Sequence, residues 1–211
     1  MRLTWQENGH DCEDEWRSER GAPLPKRVVL ADDTLSADSA YRLACAGTGM
    51  LWRGDFQNAK QLLQALARRA DKPSKKSIRN KSKARKPGEG LIPLAKPMSE
   101  IFHLHRQSQS QRSRTLGMLL IQFEPDHSIP LRRAPDVTEA CLAVYGEISE
   151  PYVTSLRELL GFIGSLEWRK KGLAIEAIKE LGDGRIHPHY GVFAPVRSEY
   201  IGLLKKAPLP E

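Results

Sequence analysis

Leu51-Trp52-Arg53-Gly54-Asp55-Phe56-Gln57-Asn58-Ala59 is the stretch on which the fold reading turns. Asp55 is a helix-capping residue type, and it directly precedes an apolar repeat of Phe56, Ala59, Leu62, Leu63, Leu66 and Ala67. These positions recur at i, i+3, i+4 and i+7, so a helix over 56–70 carries one apolar face. Upstream, Ser36 is a second capping candidate, and Tyr41, Leu43, Ala44, Leu51 and Trp52 supply apolar positions up to a stop at Gly54. Gly47 and Gly49 weaken that helix in its middle or let another backbone approach. Residues 35–70 therefore predict a helical hairpin turned at Arg53-Gly54-Asp55.

Outward from this unit the pattern thins on both sides. Residues 1–34 show no sustained periodicity, and Pro23 and Pro25 break any helix there. One short strand is predicted at Arg27-Val28-Val29-Leu30, within an otherwise loosely ordered arm. Residues 71–97 hold Lys72, Lys75, Lys76, Arg79, Lys81, Lys83, Arg85 and Lys86 among Ser and Pro. Such a run cannot bury a face and reads as a flexible basic linker.

Beyond the linker, residues 98–211 read as one α+β region. A helix is predicted from Met98 to Arg114, and a strand within Leu116–Phe123. Asp136 is expected to cap a helix through Tyr145, closed by Gly146. Ser155 caps another, whose Arg169, Lys170 and Lys171 oppose the dipole at its C-terminal end. Residues 186–194 read as strand, turn, strand, followed by a short helix over 196–204. The expected fold class is α+β, mostly helical, with a few short strands.

Charge and composition narrow the function classes. The formal net charge is +7, which is compatible with nucleic acid or another acidic partner without establishing one. Cys12, Cys45 and Cys141 are odd in number and far apart, so no disulfide framework or zinc knuckle is indicated. The acidic Glu13-Asp14-Glu15 near the start does not fit a signal peptide, and no apolar window is long enough to span a bilayer. A cytoplasmic protein without a membrane partner is expected.

A family resemblance enters at the C-terminal segment. Gly184-Arg185-Ile186-His187-Pro188-His189-Tyr190-Gly191-Val192-Phe193-Ala194-Pro195 looks like the region preceding the cofactor motif in bacterial class I S-adenosylmethionine-dependent methyltransferases. Leu51–Ala59, Phe102-His103-Leu104-His105-Arg106-Gln107 and Glu167-Trp168-Arg169-Lys170-Lys171-Gly172 resemble the same group. Pro195-Val196-Arg197-Ser198-Glu199 is distantly similar to an element of protein-glutamine N5-methyltransferases. The resemblance implies a region that packs beside a Rossmann-like methyltransferase domain, in cis or in trans. It also implies S-adenosylmethionine as the methyl donor of the complete enzyme. The chain departs from the pattern in having no Asp-x-Gly-x-Gly turn after a strand and no Asn-Pro-Pro-aromatic motif. The expectation is a substrate-recognition or accessory region that does not bind the donor itself.

On that placement, Arg185, His187, His189, Tyr190 and Arg197 are the expected substrate-facing residues. An alternative is a non-enzymatic RNA-binding module using Arg106, Arg112 and Arg114. His103 and His105 diverge at i,i+2 on a predicted helix, and His187 and His189 offer just two ligands, so ordinary polar or packing roles outweigh metal binding at both pairs. No nucleophile motif is present, and no catalytic residue is assigned.

Overall fold

In a computed structural model, which describes residues 1–72, 97–179, 183–194 and 198–208, the chain begins with a β-hairpin rather than an arm. Strands β1 (Arg2–Glu7) and β2 (His10–Trp16) pair antiparallel, with Glu7 opposite His10. Asn8 and Gly9 between them have φ of 51° and 80°. Two successive left-handed residues make a tight turn whose twist matches that of the strands, and Asn-Gly is the pair that favours it. Leu3, Trp5 and Trp16 point to one side and are buried.

Strand β3 (Arg27–Ala31) leads to helix α1 (Ala37–Cys45) and then strand β4 (Thr48–Trp52). The predicted helical hairpin over 35–70 is thus corrected to helix, strand, helix. Ser36 does cap α1, accepting from the Ser39 N–H. The helix stops at Gly47, whose φ of 79° is a left-handed exit that glycine takes without strain. Every residue of β4 is buried. A short strand covered on both faces shows no alternation, so its Met50-Leu51-Trp52 run reads equally well as helix. Asp55 then caps α2 (Phe56–Ala70), as its spacing predicts.

After the basic segment, of which residues 73–96 lie outside the described part, come α3 (Met98–Leu116) and β5 (Leu119–Phe123). Helix α4 (Thr138–Tyr145), strand β6 (Tyr152–Ser155) and helix α5 (Leu156–Lys171) follow; the residue at the cap position of α4 is Val137 rather than Asp136, which lies one residue earlier and accepts from the Thr138 N–H. A two-stranded ribbon, β7 (Leu173–Ala174) with β8 (Arg185–Ile186), precedes helix α6 (Ser198–Lys206). The strand-turn-strand reading of 186–194 is corrected: residues 187–194 are not in a strand.

The main sheet has six strands in the order β1-β2-β6-β5-β4-β3. Strands β3, β4 and β5 run parallel, β6 is antiparallel to β5, and β2 is parallel to β6. The fold is α+β, as expected, but a sheet organises it. Successive residues face opposite sides. Met50, Trp52, Leu119, Ile121, Phe123 and Tyr152 meet the helices in the larger core. Leu51, Leu120 and Val153 face the other way and form a second core with Leu3, Trp5 and Trp16. The sheet curls far enough that its edge strands, β1 and β3, approach within 8 Å between Cα atoms.

Trp5 is therefore a structural closure of the inner face. Trp5→Ala is expected to destabilise the fold by about 3–5 kcal/mol, the range for emptying a buried aromatic site. Urea unfolding of the variant measures this; a loss near zero would restore the loosely docked arm.

Candidate functional site

Parallel strands usually present ligand sites at their C-terminal ends. Here that end is filled by side chains that satisfy one another. Arg53, just after β4, donates to Glu7 at 2.6 Å and to the Gln122 side-chain oxygen at 2.6 Å. Gln122 in turn donates to Asp14 at 2.6 Å, and the Trp5 indole donates to Glu7 at 3.0 Å. The Arg53 hydrogen bond holds the Glu7 carboxyl below its usual range. Burial raises that of Asp14, against the opposing pull of Gln122.

Asp55 occupies the same end. It accepts from the Gln57 N–H at 2.8 Å and from Arg133 at 2.5 Å, with Arg132 at 3.6 Å. Asp33 accepts from the Asp55 N–H and from the Asn58 amide. Nearby, the buried His127 has Nδ1 3.0 Å from the Tyr152 hydroxyl and Nε2 3.0 Å from the Gly146 carbonyl. A carbonyl accepts, so Nε2 carries a proton. Sequence reading missed His127 because it stands alone in a loop, with no partner at motif spacing.

The opposite end differs. The loop after β2, the starts of β4 and β5, the end of α3 and the start of α5 enclose a cavity of about 550 Å³. Arg20, Lys26, Arg114 and Arg157 line it. Among the described residues, none of the four has a carboxylate within ion-pair distance. The acid in the lining, Glu158, is 5% exposed and already engaged. It accepts from the Ser18 hydroxyl at 2.9 Å, the Arg20 N–H at 3.1 Å and the Thr154 hydroxyl at 3.2 Å. The Arg157 guanidinium donates to the Ser113 hydroxyl. Burial lowers the Arg157 pKa, and the charges of Arg20 and Arg112 lower it further.

The residues expected to face substrate divide between several roles. Arg185 donates to the Lys171 carbonyl at 3.2 Å and the Gly172 carbonyl at 3.1 Å. The His187 ring nitrogen Nδ1 lies 2.6 Å from the Arg169 carbonyl. Both side chains therefore serve the carbonyls at the end of α5, groups that a helix leaves without intrahelical partners. Tyr190 packs edge-on against Phe162, with ring centroids 4.9 Å apart. His189 is exposed and borders a small recess beside α4 and α5. Arg197 lies outside the described residues.

The RNA-facing candidates also separate. Arg112 is paired with Asp71 through two bonds, at 2.6 and 3.1 Å. Arg106 lies 5.7 Å over the Phe102 ring. Arg114 alone of the three lines the basic cavity. Arg20, Lys26 and Arg157 went unnoticed in the sequence, since they are 137 positions apart at the extremes (157 − 20) and share no motif. His103 and His105 are exposed on α3, and no group of three or more His, Cys, Asp or Glu able to hold a metal occurs among the described residues.

Comparison with known proteins adds no assignment: no family model, curated protein or solved structure matches the chain. Among the described residues, no helix is long and apolar enough to cross a membrane.

The Asp55 network makes a pH prediction. The Arg133 hydrogen bond, followed by the Gln57 N–H and the charges of both arginines, holds the Asp55 carboxyl below its ordinary value against a smaller opposing effect of burial. Its stabilising effect is thus complete above the unfolded carboxylate pKa of about 3.9 and is lost as pH falls through the lower folded value. Thermal melts of wild type and Asp55→Asn should differ most near neutral pH and converge as pH drops below about 4. A difference independent of pH would contradict the ionised pairing.

Proposed function

We propose that this chain is the substrate-recognition or accessory region of an S-adenosylmethionine-dependent methyltransferase. It docks against a donor-binding domain supplied in cis or in trans and does not hold the methyl donor itself. The observation that carries this reading is the exposure of large apolar side chains in the segment that bears the family resemblance. Up to Tyr190 that segment is fixed to α5 through Arg185, His187 and the Phe162 contact. Beyond it, Val192 is 60% exposed and Phe193 75%, and the helix α6 that follows leaves Tyr200 51% and Leu203 69% exposed. Water solvates such groups poorly, and packing against a second domain would remove them from it.

The sheet topology supports the missing donor site. Strands β3, β4 and β5 lie in sequential order, so this parallel part has no reversal of strand order. A reversal is what opens the crevice for a nucleotide-like cofactor. The strand-to-helix turn Arg53-Gly54-Asp55 has one glycine, and Asp55 is committed to capping and to Arg133. The residues most concerned with the acceptor on this reading are His189 and Tyr190, with Arg185 and His187 holding their segment in place. The RNA-binding alternative draws less support, because Arg112 and Arg106 already have partners.

Two measurements test the reading together. Calorimetric titration of the chain with S-adenosylmethionine is expected to show no uptake. Phe193→Asp with Leu203→Asp, with wild-type circular dichroism and melting temperature, is expected to abolish methyl transfer when a donor-binding domain is combined with the chain. Stoichiometric donor binding by the chain, or full transfer by the double variant, would contradict it.

A further inference from the structure

We propose that the cavity between the α3 C-terminus and the α5 N-terminus is a binding site for a nucleoside monophosphate. In it Arg20, Lys26, Arg114 and Arg157 hold the phosphate, and the apolar wall takes the base.

The charge count selects the anion. Four cations and one acid line the cavity, and the acid is saturated by three donors. The remaining positive excess is matched by a phosphomonoester, which carries about −1.5 to −2 near neutral pH, better than by a single carboxylate. Gathering like charges around one half-open cavity costs electrostatic energy even with Arg20, Lys26 and Arg114 exposed, and a bound dianion converts that repulsion into attraction. At Arg157 burial is the main effect against the charged form, the neighbouring charges of Arg20 and of Arg112 outside the cavity add to it, and Glu158 partly offsets them. The Arg157 guanidinium is nevertheless oriented by the Ser113 hydroxyl, and among the described residues its other N–H groups have no hydrogen-bond partner. The N-terminal end of the 16-residue helix α5 also borders the cavity, and that end carries a partial positive charge.

The rest of the lining selects the body of the ligand. Pro23, Leu24, Pro25 and Met118 give the cavity an apolar wall beside its cations. Inorganic phosphate has no use for such a wall, whereas a flat base buries apolar area against it. A volume of about 550 Å³ accommodates a ligand of nucleotide size. The loop forming that wall is anchored, because the Trp16 indole donates to the Ala22 carbonyl at 2.9 Å and Lys26 N–H to the Gly47 carbonyl at 3.0 Å. The site is thus built before any ligand arrives. It needs no donor-binding domain and stands apart from the methyltransferase reading.

The full chain is titrated by calorimetry with adenosine 5′-monophosphate, adenosine, inorganic phosphate and a 5′-phosphorylated single-stranded RNA octamer. The expected order is adenosine 5′-monophosphate tighter than phosphate, with adenosine weakest. Exposed Lys26→Gln and Arg114→Gln are each expected to weaken the monophosphate about tenfold, the loss of one charge-assisted contact, while Arg106→Gln outside the cavity changes nothing. Arg157→Gln should act in the same direction, and circular dichroism checks its fold. If the octamer binds as the free monophosphate does and stays sensitive to Lys26→Gln, the ligand's source is a nucleic-acid 5′ end and the site is upheld. Octamer binding lost in Arg106→Gln but retained in Lys26→Gln would overturn the pocket in favour of the α3 surface. Phosphate and adenosine 5′-monophosphate binding equally would overturn the role of the apolar wall. Absence of monophosphate binding at millimolar concentration would overturn the proposal.

Discussion

The constraint on which this structure depends is that a sheet has two faces and the helices cover one of them. Helices α1, α2, α4 and α5 all contribute to the single larger core. Leu51, Leu120 and Val153 point away from it, as the alternation of strands requires. Left in water, they would forfeit most of their burial energy. The N-terminal hairpin solves the problem by adding two strands to the far edge and curling over the inner face. Its Leu3, Trp5 and Trp16 then meet the three inward residues of the central strands.

That closure also positions both ends of the sheet. Trp5 brings Glu7 to Arg53, and the polar network at the C-terminal ends of β3, β4 and β5 is completed by Asp14 from the second strand. Trp16 ends the hairpin at the other side, and the chain from there to β3 becomes a wall of the basic cavity. The two ends are electrostatic opposites. One has acids and arginines matched within hydrogen-bond distance; the other has four cations whose neighbouring acid is occupied elsewhere. The first end is thus internally matched, and the second keeps an unmatched positive excess.

Much of the helical framework was legible in the sequence. Ser36, Asp55 and Ser155 cap the helices their positions indicate, each accepting a backbone N–H. The helix entered at Met98 and the strand ending at Phe123 are where the apolar pattern puts them. Asn8-Gly9 is a hairpin signal in the sequence, but the strand before it shows little period because its inward residues are just Leu3 and Trp5. Strand β4 was hidden for a different reason: burial on both faces erases the period that distinguishes strand from helix. The sites were less legible still. Arg185 and His187 act on carbonyls 13 to 18 residues away, and the cavity assembles from four separated segments, so neither leaves a local pattern.

Native-state hydrogen exchange tests the closure most directly. If the hairpin completes the fold, the paired amides of β1 and β2 exchange through the same global opening as those of β4 and β5. Comparable protection is then expected at Trp5 and Cys12, which face each other across the hairpin, and at Leu51 and Leu120. Rapid exchange throughout β1 and β2, with β4 and β5 still protected, would contradict the closure.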